Sequence, residues 1–385
     1  MKLYDDMHFI PSFEPSAFFY VFLTFGITAL VHLTYVLVIQ GRFAFYTQKK
    51  SVSPDSTLPP ISLIIAARNE SDNLYENLPF ILDQDYPLFE VIVINNQSVD
   101  DSSQLLRSFQ HEYPNLHVIE VERNPHLRPG KKLSITIGIK GAQYDHFILT
   151  DADCRPASRL WLQLMATSFS EEKELVIGYE PYTKSEGFLN SLIRFDTASI
   201  GISYFSMALS GLTYMGVGRN IGYTKNLFES VKGFRSHYEL ASGDDDLFVQ
   251  EAATKKNVRI NVDKNTFCYS APCADWDSWI RQKTRHYTTT DRYEVIKKWM
   301  LGIYPLTMLI LLISFVILML SNDFRWLSAS VFIFVTGVKW WIQGRCFNKL
   351  NEGSLVKYLP LWDIMYTILM PIIYYSSEKK AANKW

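Results

Sequence analysis

The chain has 385 residues, with 38 Lys and Arg against 39 Asp and Glu, and 48% of it is hydrophobic. Balanced charge removes the basic excess that nucleic-acid binders carry, so no nucleic-acid partner is expected. The length allows one large domain with additions, and the apolar residues are spread unevenly along it.

The first element is "AFFYVFLTFGITALVHLTYVLVI", Ala17 to Ile39, apolar over about the 20 residues a bilayer core demands. It lacks a basic leader and runs into "QGRFAFY" with no small-residue cleavage site, so it predicts an anchor that stays. "SVSPDSTLPP" is then a Pro/Ser linker expected to detach the following domain from that helix. Next come a short buried strand ("ISLIIAARNE"), a helix capped at Ser71 or Asp72, a second strand ("FEVIVIN"), a helix ("DDSSQLLRSFQHEY") and a third strand ("LHVIEVE"). "KKLSITIGIKGAQ" reads as a further helix and "HFILTDAD" as a strand that runs straight into acids. Continuous apolar strands alternating with amphipathic helices predict an α/β domain with a mostly parallel sheet covered on both faces. In such sheets ligands bind beyond the carboxyl ends of the strands, where "AARNE", "NNQS" and "TDAD" fall.

Asp151 and Asp153 flank Ala152 directly after an apolar strand. Two small carboxylates there can share one Mg2+ or Mn2+ with substrate phosphates, although D-x-D also occurs as an ordinary polar turn. No G-x-x-x-x-G-K-[ST] is present, and no G-x-G-x-x-G follows the first strand, which removes the simplest phosphate-loop and dinucleotide readings. "LRPGKKLS" offers Lys131 and Lys132 at a helix start, a place for phosphate or carboxylate as well as for solvated surface. "EGFLNSLIRFDTASIGISYFSMALSG", Glu186 to Gly211, reads as an amphipathic interface or acceptor helix. "SGDDDL" places Asp244, Asp245 and Asp246 before a helix; a cap needs fewer acids, and crowded carboxylates raise one another's pKa, which suits a general base. "WDSWIRQKTRHYTTTDRYEVIKKW" is either an aromatic and basic membrane belt or a grip on a diphosphate through Gln282, Arg285 and His286.

Three further apolar segments follow, at about 299–320, 324–343 and 355–375, the last two interrupted by Lys339 and Asp363. Arg42, Lys49, Lys50, Lys297, Lys298, Arg345, Lys349 and Lys357 cluster on one side, which puts the middle of the chain in the cytoplasm. The tail "SSEKKAANKW" strains this topology, and a last segment lying in the interface is the alternative. The expected organisation is a membrane segment over residues 1–50, a cytoplasmic domain with interfacial helices over 51–298, and a membrane region over 299–385. The expected location is a multi-pass protein of a bacterial inner membrane. Cys154, Cys268, Cys273 and Cys346 have no zinc-site spacing and fit a reducing compartment.

The order of these parts resembles the family-2 glycosyltransferases, inverting nucleotide-sugar enzymes of the GT-A fold, and within them the membrane-bound branch with ceramide glucosyltransferases and polysaccharide synthases. The resemblance runs from about Ile61 to His286. "SLIIAARNE" is similar to the family's first strand and turn, "PGKKLSITIG" to its G-K-x-x-A-L-N-x-G, "LTDADC" to its D-x-D, "SGDDDL" to T-E-D-x-D-L and "QKTRH" to Q-x-x-R-W. "GVGRNIGYTKNLFESVKGF" is similar to the stretch that lines the acceptor side, here with Gly218 and Arg219.

What this resemblance implies is a donor site formed by Ala67, Arg68, Glu70, Asn95, Asn96, Lys131 and Asp151, with Gln282, Arg285 and His286 at the leaving diphosphate. It implies a metal, Mg2+ or Mn2+, on Asp153 with Asp151. It implies Asp244 as the base, or Asp245 if the placement shifts by one, and Gly218, Arg219 and Asp246 on the acceptor side. Four positions depart from the pattern: Gly243 replaces a common Glu, His286 replaces Trp, and Asn95 and Asn96 replace a pair of acids that accept from the uracil imide. An Asn carbonyl accepts the same bond more weakly, so a UDP-sugar is the expected donor. The expected acceptor is a lipid, a lipid-linked group or a glycan. A processive polysaccharide synthase subunit and an inactive scaffold are the alternatives.

Overall fold

The computed structural model describes residues 16–48, 58–123 and 130–376. Lys49, Lys50, the linker up to Thr57, the "LRP" ahead of Gly130 and the tail beyond Ser376 lie outside the described residues.

Nine strands are present among the described residues: β1 Ile61–Ala67, β2 Phe89–Asn96, β3 Leu116–Val121, β4 His146–Asp151, β5 Cys154–Pro156, β6 Leu175–Ile177, β7 Ile221–Thr224, β8 Val258–Ile260 and β9 Cys268–Ser270. Seven form one sheet in the order β3-β2-β1-β4-β7-β6-β8, and β5 pairs with β9 apart from it. The first four run parallel, and β7 is antiparallel to both β4 and β6. Central β1, β2 and β4 are apolar runs because helices cover both faces; edge strand β3 is half exposed and carries His117 and Glu120.

The N-terminal helix consists of α1 Ala17–Tyr35 and α2 Gly41–Ala44, joined by a π-helical turn. The sheet is flanked by α3 Ser71–Leu82, α4 Ser102–Glu112, α5 Lys131–Gly141 and α6 Trp161–Ala166. The chain continues through α7 Phe188–Leu209, α8 Lys225–Ser230, α9 Asp246–Ala252 and α10 Trp276–Tyr287, then α11 Val295–Leu318, α12 Arg325–Lys349 and α13 Leu359–Ser376. Gly138 lets α5 ride directly on the sheet: a Cβ there would lie 2.7 Å from both Ile64 and Ile94. That contact fixes where the amino end of α5, with Lys131, meets the end of β4.

One buried core extends from the sheet (Ile64, Ile94, Phe147) through Phe195 and Phe205 of α7 to Phe43 of α2 and Phe347 of α12. The first helix is therefore not detached. Phe43 stacks on Phe205 at 5.1 Å, and Gln48 exchanges hydrogen bonds with Asn261 and Val262 at 2.9 and 2.8 Å. Helix α7 also differs from the expected interface helix. Its buried residues include Leu192, Phe195, Ile202 and Phe205 together with Asn190, Arg194 and Asp196, so it is wrapped on several sides and its charges are paired internally. Arg194 forms a buried ion pair with Glu352 and donates to Ser354 at 3.0 Å.

Among the described residues three helices are long and apolar enough to cross a membrane: Ala17–Ala44, Val295–Leu318 and Gly353–Tyr375. Helix α12, which holds Arg325, Lys339, Arg345 and Lys349, is not among them. The charges that interrupt the last two apolar segments answer each other, because Lys339 and Asp363 form a buried ion pair. Tyr304 donates to Asp363 at 2.8 Å and Gln343 donates to Tyr304 at 2.8 Å, so the ion pair is hydrogen-bonded inside the helix bundle.

Candidate active site

Strand β4 delivers Asp151 at its carboxyl end, and the amino end of α5 brings Lys131 against it. The Lys131 ammonium lies 2.7 Å from Asp151 and 3.5 Å from Asp244, which arrives from the loop ahead of α9. Burial works against the charge on Lys131, but Asp151 and then Asp244 outweigh it and raise its pKa. A single cation thus bridges a strand-end carboxylate and the acidic loop. Gly218 sits against this bridge: a Cβ there would come within 3.2 Å of the Lys131 ammonium and 3.3 Å of the Asp244 carboxylate.

The three consecutive acids have different surroundings. Asp245 accepts from the Gly218 N–H at 3.1 Å and from the Asp246 N–H at 2.8 Å, capping α9. Burial, followed by Asp244 and Asp246, pushes its pKa up to about 7. Asp246 is buried and accepts from Thr289, from Tyr293 at 2.7 Å and from the Leu247 N–H at 2.7 Å. Asp244 faces Lys131, and its residue lines a cavity of about 430 Å3. The loop carrying all three is anchored by Lys132. Its buried ammonium donates to the carbonyls of His237, Leu240 and Ser242 at 2.6, 3.0 and 2.6 Å. Lys132 is therefore a structural anchor; neither a phosphate ligand nor solvated surface describes it.

The same cavity is lined by Asp151, Asp153, Gly218, Arg219, Gln282, Arg285 and His286, so residues from β4, the loop before β7 and α10 are brought together. Helix α10 starts cleanly because Asp275 and Ser278 form a reciprocal capping box. Arg219 pairs with Glu180 at 2.7 Å and donates to Ser270 and Tyr182 at 2.8 and 3.2 Å, while Gln282 donates to Tyr182 at 3.0 Å. A tyrosine hydroxyl thereby ties the Arg219 loop to α10. Glu180 was missed by sequence reasoning, yet it lies just past β6, the same strand-then-acid signal that marked Asp151. Burial pushes its pKa up to about 8 against the opposing pull of Arg219, with Asp153 and Asp151 adding to the rise. Also missed were Asp196 and Lys283, a buried ion pair on the cavity wall; Lys283 stands between Gln282 and Arg285 in the quoted motif.

Ala67, Arg68, Glu70, Asn95 and Asn96 do not line this cavity. They occupy the ends of β1 and β2, one and two strands away from Asp151, with Ala67 beside Asn95 and Ala66 beside Asp151. Asn95 donates to Ser103 and Glu120 at 2.8 and 2.9 Å and accepts from Ser98 at 2.5 Å. Asn96 is fully buried and donates to Ser134 of α5 at 2.9 Å, while its carbonyl oxygen has no partner. Burial raises the Glu70 pKa, its bond to Asn73 opposes this, and Asp153 and Asp151 raise it further, so Glu70 lies within the field of the D-x-D carboxylates.

Among the described residues no three-ligand cluster of His, Cys, Asp or Glu is preassembled. The chemistry of the donor set at Asp151 and Asp153 nevertheless fits Mg2+ or Mn2+: hard carboxylate oxygens, with further acids close enough to raise one another's pKa. Two protein carboxylates suffice where substrate phosphates complete the shell.

Residues 62–231 match the model of Glycosyl transferase family 2. Over that span the chain is similar to the family 2 glycosyltransferases. Glycosyltransferase AglE of Haloferax volcanii is 30% identical to the chain over 200 residues, covering 49% of the chain and 60% of AglE. Ceramide glucosyltransferase 1 of Caenorhabditis elegans is 24% identical over 233 residues, covering 59% of the chain and 49% of that protein. The chain thus spans 49% to 60% of the length of these curated relatives. The mannosyltransferase PcManGT from Pyrobaculum calidifontis, solved in complex with GDP-Man and Mn2+, aligns with a TM-score of 0.56 at 17% identity, over 91% of this chain and 99% of that one. The sheet domain has the GT-A fold, with its mostly parallel sheet set against helices at both ends of the chain.

Proposed function

We propose that the protein is a membrane-bound inverting glycosyltransferase that moves a sugar from a nucleotide-sugar, a UDP-sugar, to a lipid, lipid-linked or glycan acceptor at the cytoplasmic face. The organisation that goes with this is a membrane helix within residues 1–50, the transferase domain within 51–298 and a membrane region within 299–385. The observation that supports the mechanism is the difference in contacts within the acidic loop, whose three acids all line the cavity: Asp245 and Asp246 are held by backbone N–H groups and hydroxyls, whereas Asp244 faces Lys131.

In this mechanism Asp244 takes the proton from the acceptor hydroxyl as its oxygen attacks the anomeric carbon. The bond from that carbon to the diphosphate breaks on the opposite face, and the electron pair leaves with the nucleotide. Asp151 and Asp153 would hold Mg2+ or Mn2+, which when bound would supply Lewis-acid neutralisation of the departing charge. Lys131 places a fixed positive charge between the donor side and the base, and Gln282 and Arg285 offer N–H donors to the diphosphate. Asn95 and Asn96 stand at the neighbouring strand ends but are buried, with their amides donating to Ser103, Glu120 and Ser134 rather than facing the cavity.

The relatives support the class through their names, a glycosyltransferase and a ceramide glucosyltransferase, and PcManGT through its GDP-Man and Mn2+ complex. The test is purified protein in detergent offered UDP-, GDP- and dTDP-sugars with Mg2+ or Mn2+, reading free nucleoside diphosphate and thermal shift. Turnover of one UDP-sugar, lost in Asp153→Ala, is the expected result. No binding or turnover with any donor would move the inactive-scaffold reading to the front.

A further inference from the structure

The cavity has one wall that the transfer chemistry leaves unused. Lys283 and Asp196 form an ion pair there, their side chains only 7% and 4% exposed, and both residues line the cavity. Asp196 is held from the other side as well. Its Oδ2 faces Lys283, while its Oδ1 accepts from the Tyr366 hydroxyl at 2.6 Å. Tyr366 belongs to α13, in the apolar stretch Gly353–Tyr375. The same helix backs α7 and α10 through ring contacts: Phe195 packs edge-on against Tyr366 at 5.5 Å and stacks on Trp362 at 5.7 Å, and Tyr287 meets Tyr374 at 5.1 Å.

A lysine ammonium on its four-carbon stem has no fixed place of its own, so its position is set by what grips it. A carboxylate held at both oxygens cannot turn without breaking one bond. Held at one, it can. Because Asp196 already balances the Lys283 charge, what Lys283 can present to the cavity is N–H donors rather than net charge.

We infer that Tyr366 and Asp196 are positioning residues for Lys283, so that the last apolar helix holds one wall of the transfer site. The kinetic half of this inference rests on the glycosyltransferase reading; the structural half does not.

The experiment uses the full chain in detergent and a water-soluble acetylating ester as probe, with acetylation at each lysine read by peptide mass spectrometry. Tyr366→Phe keeps the ring and its packing and removes only the hydroxyl. It should raise Lys283 acetylation several-fold while Lys131 and Lys132 stay at the wild-type level and the melting temperature holds. Asp196→Asn should raise Lys283 acetylation further. Unchanged Lys283 labelling in both variants overturns the inference, as does a uniform rise at all three lysines, which would make Tyr366 a general packing residue. A second arm measures nucleoside diphosphate release from UDP-glucose, UDP-N-acetylglucosamine and GDP-mannose. Tyr366→Phe should lower the rate in the wild-type background and leave it unchanged in Lys283→Met; equal fold losses in both backgrounds contradict action through Lys283. If the labelling behaves as expected but the wild type turns over no donor, the glycosyltransferase reading fails and the positioning stands.

Discussion

Asp151 and Asp244 reach the same cation by different routes, and what holds each in place differs. Asp151 is the last residue of a buried parallel strand, so ladder bonds to β1 and the close seat of α5 on the sheet fix its backbone. Asp244 sits in a loop ahead of a short helix, held by partners far away in sequence: the Lys132 ammonium on three carbonyls, the Gly218 N–H on Asp245, and Thr289 and Tyr293 on Asp246. A regular sheet positions a residue through the strand it ends. An irregular loop needs individual anchors, and each of those is a point at which it can be broken.

The largest expected effect follows from the loop side. Lys132→Met should leave three carbonyls without their donor, at a cost of about 2–5 kcal/mol, read as a lowered melting temperature with loss of donor turnover. An unchanged melting temperature would mean the loop holds itself. A comparable cost, about 3 kcal/mol, is expected from Asp363→Asn, which strands Lys339 in the helix bundle; exchanging both residues for apolar ones of similar size should restore most of the melting temperature. Failure of the double exchange to recover would show that Tyr304 and Gln343 depend on the pair.

This contrast also explains what could be read from the chain alone. Apolar runs at β1, β2 and β4 announce a parallel sheet, and the polar residues that end them announce its ligand edge, because both signals are local. Lys132 could not be read, since its partners lie 105 to 110 residues away. Helix α7 departs from the expected interface helix because Arg194 and Asp196 find their partners in the distant Glu352, Lys283 and Tyr366, which the helix sequence alone does not disclose. Lys339 and Asp363 likewise look like flaws in two apolar segments and are one ion pair. The buried Asn95 and Asn96 show the limit at the sheet edge itself: the strand end is legible, but whether a side chain faces the crevice or a neighbouring helix is set by packing.

Smaller effects sharpen the comparison. Gly218→Ala places a methyl group against the Lys131–Asp244 bridge and should lower transfer about tenfold, the equivalent of about 1.4 kcal/mol, with little change in melting temperature. Full activity would show that the bridge has room to shift. The smallest effect is on pH dependence. The folded-state pKa of Asp245, about 7, lies above its ordinary value of 3.8, so folding favours the protonated acid. That stability is present at low pH and lost as pH rises through about 7. In chelator the melting temperature should fall as pH rises from about 4 to about 8, and Asp245→Asn should flatten the slope below about 7 without removing it, because burial pushes Glu180 up to about 8. An identical slope in the variant would take Asp245 out of the account.

The central claim is that one acid of the three does the chemistry, and the most direct measurement is single-turnover transfer by Asp244→Asn beside Asp245→Asn, with nucleotide binding followed in parallel. The account predicts that Asp244→Asn lowers the transfer step by about 10²–10⁴ while binding the nucleotide as well as the wild type does, and that Asp245→Asn retains most of the rate. Retained transfer in Asp244→Asn, or its abolition only in Asp245→Asn, would contradict the assignment and move the base by one residue or out of this loop.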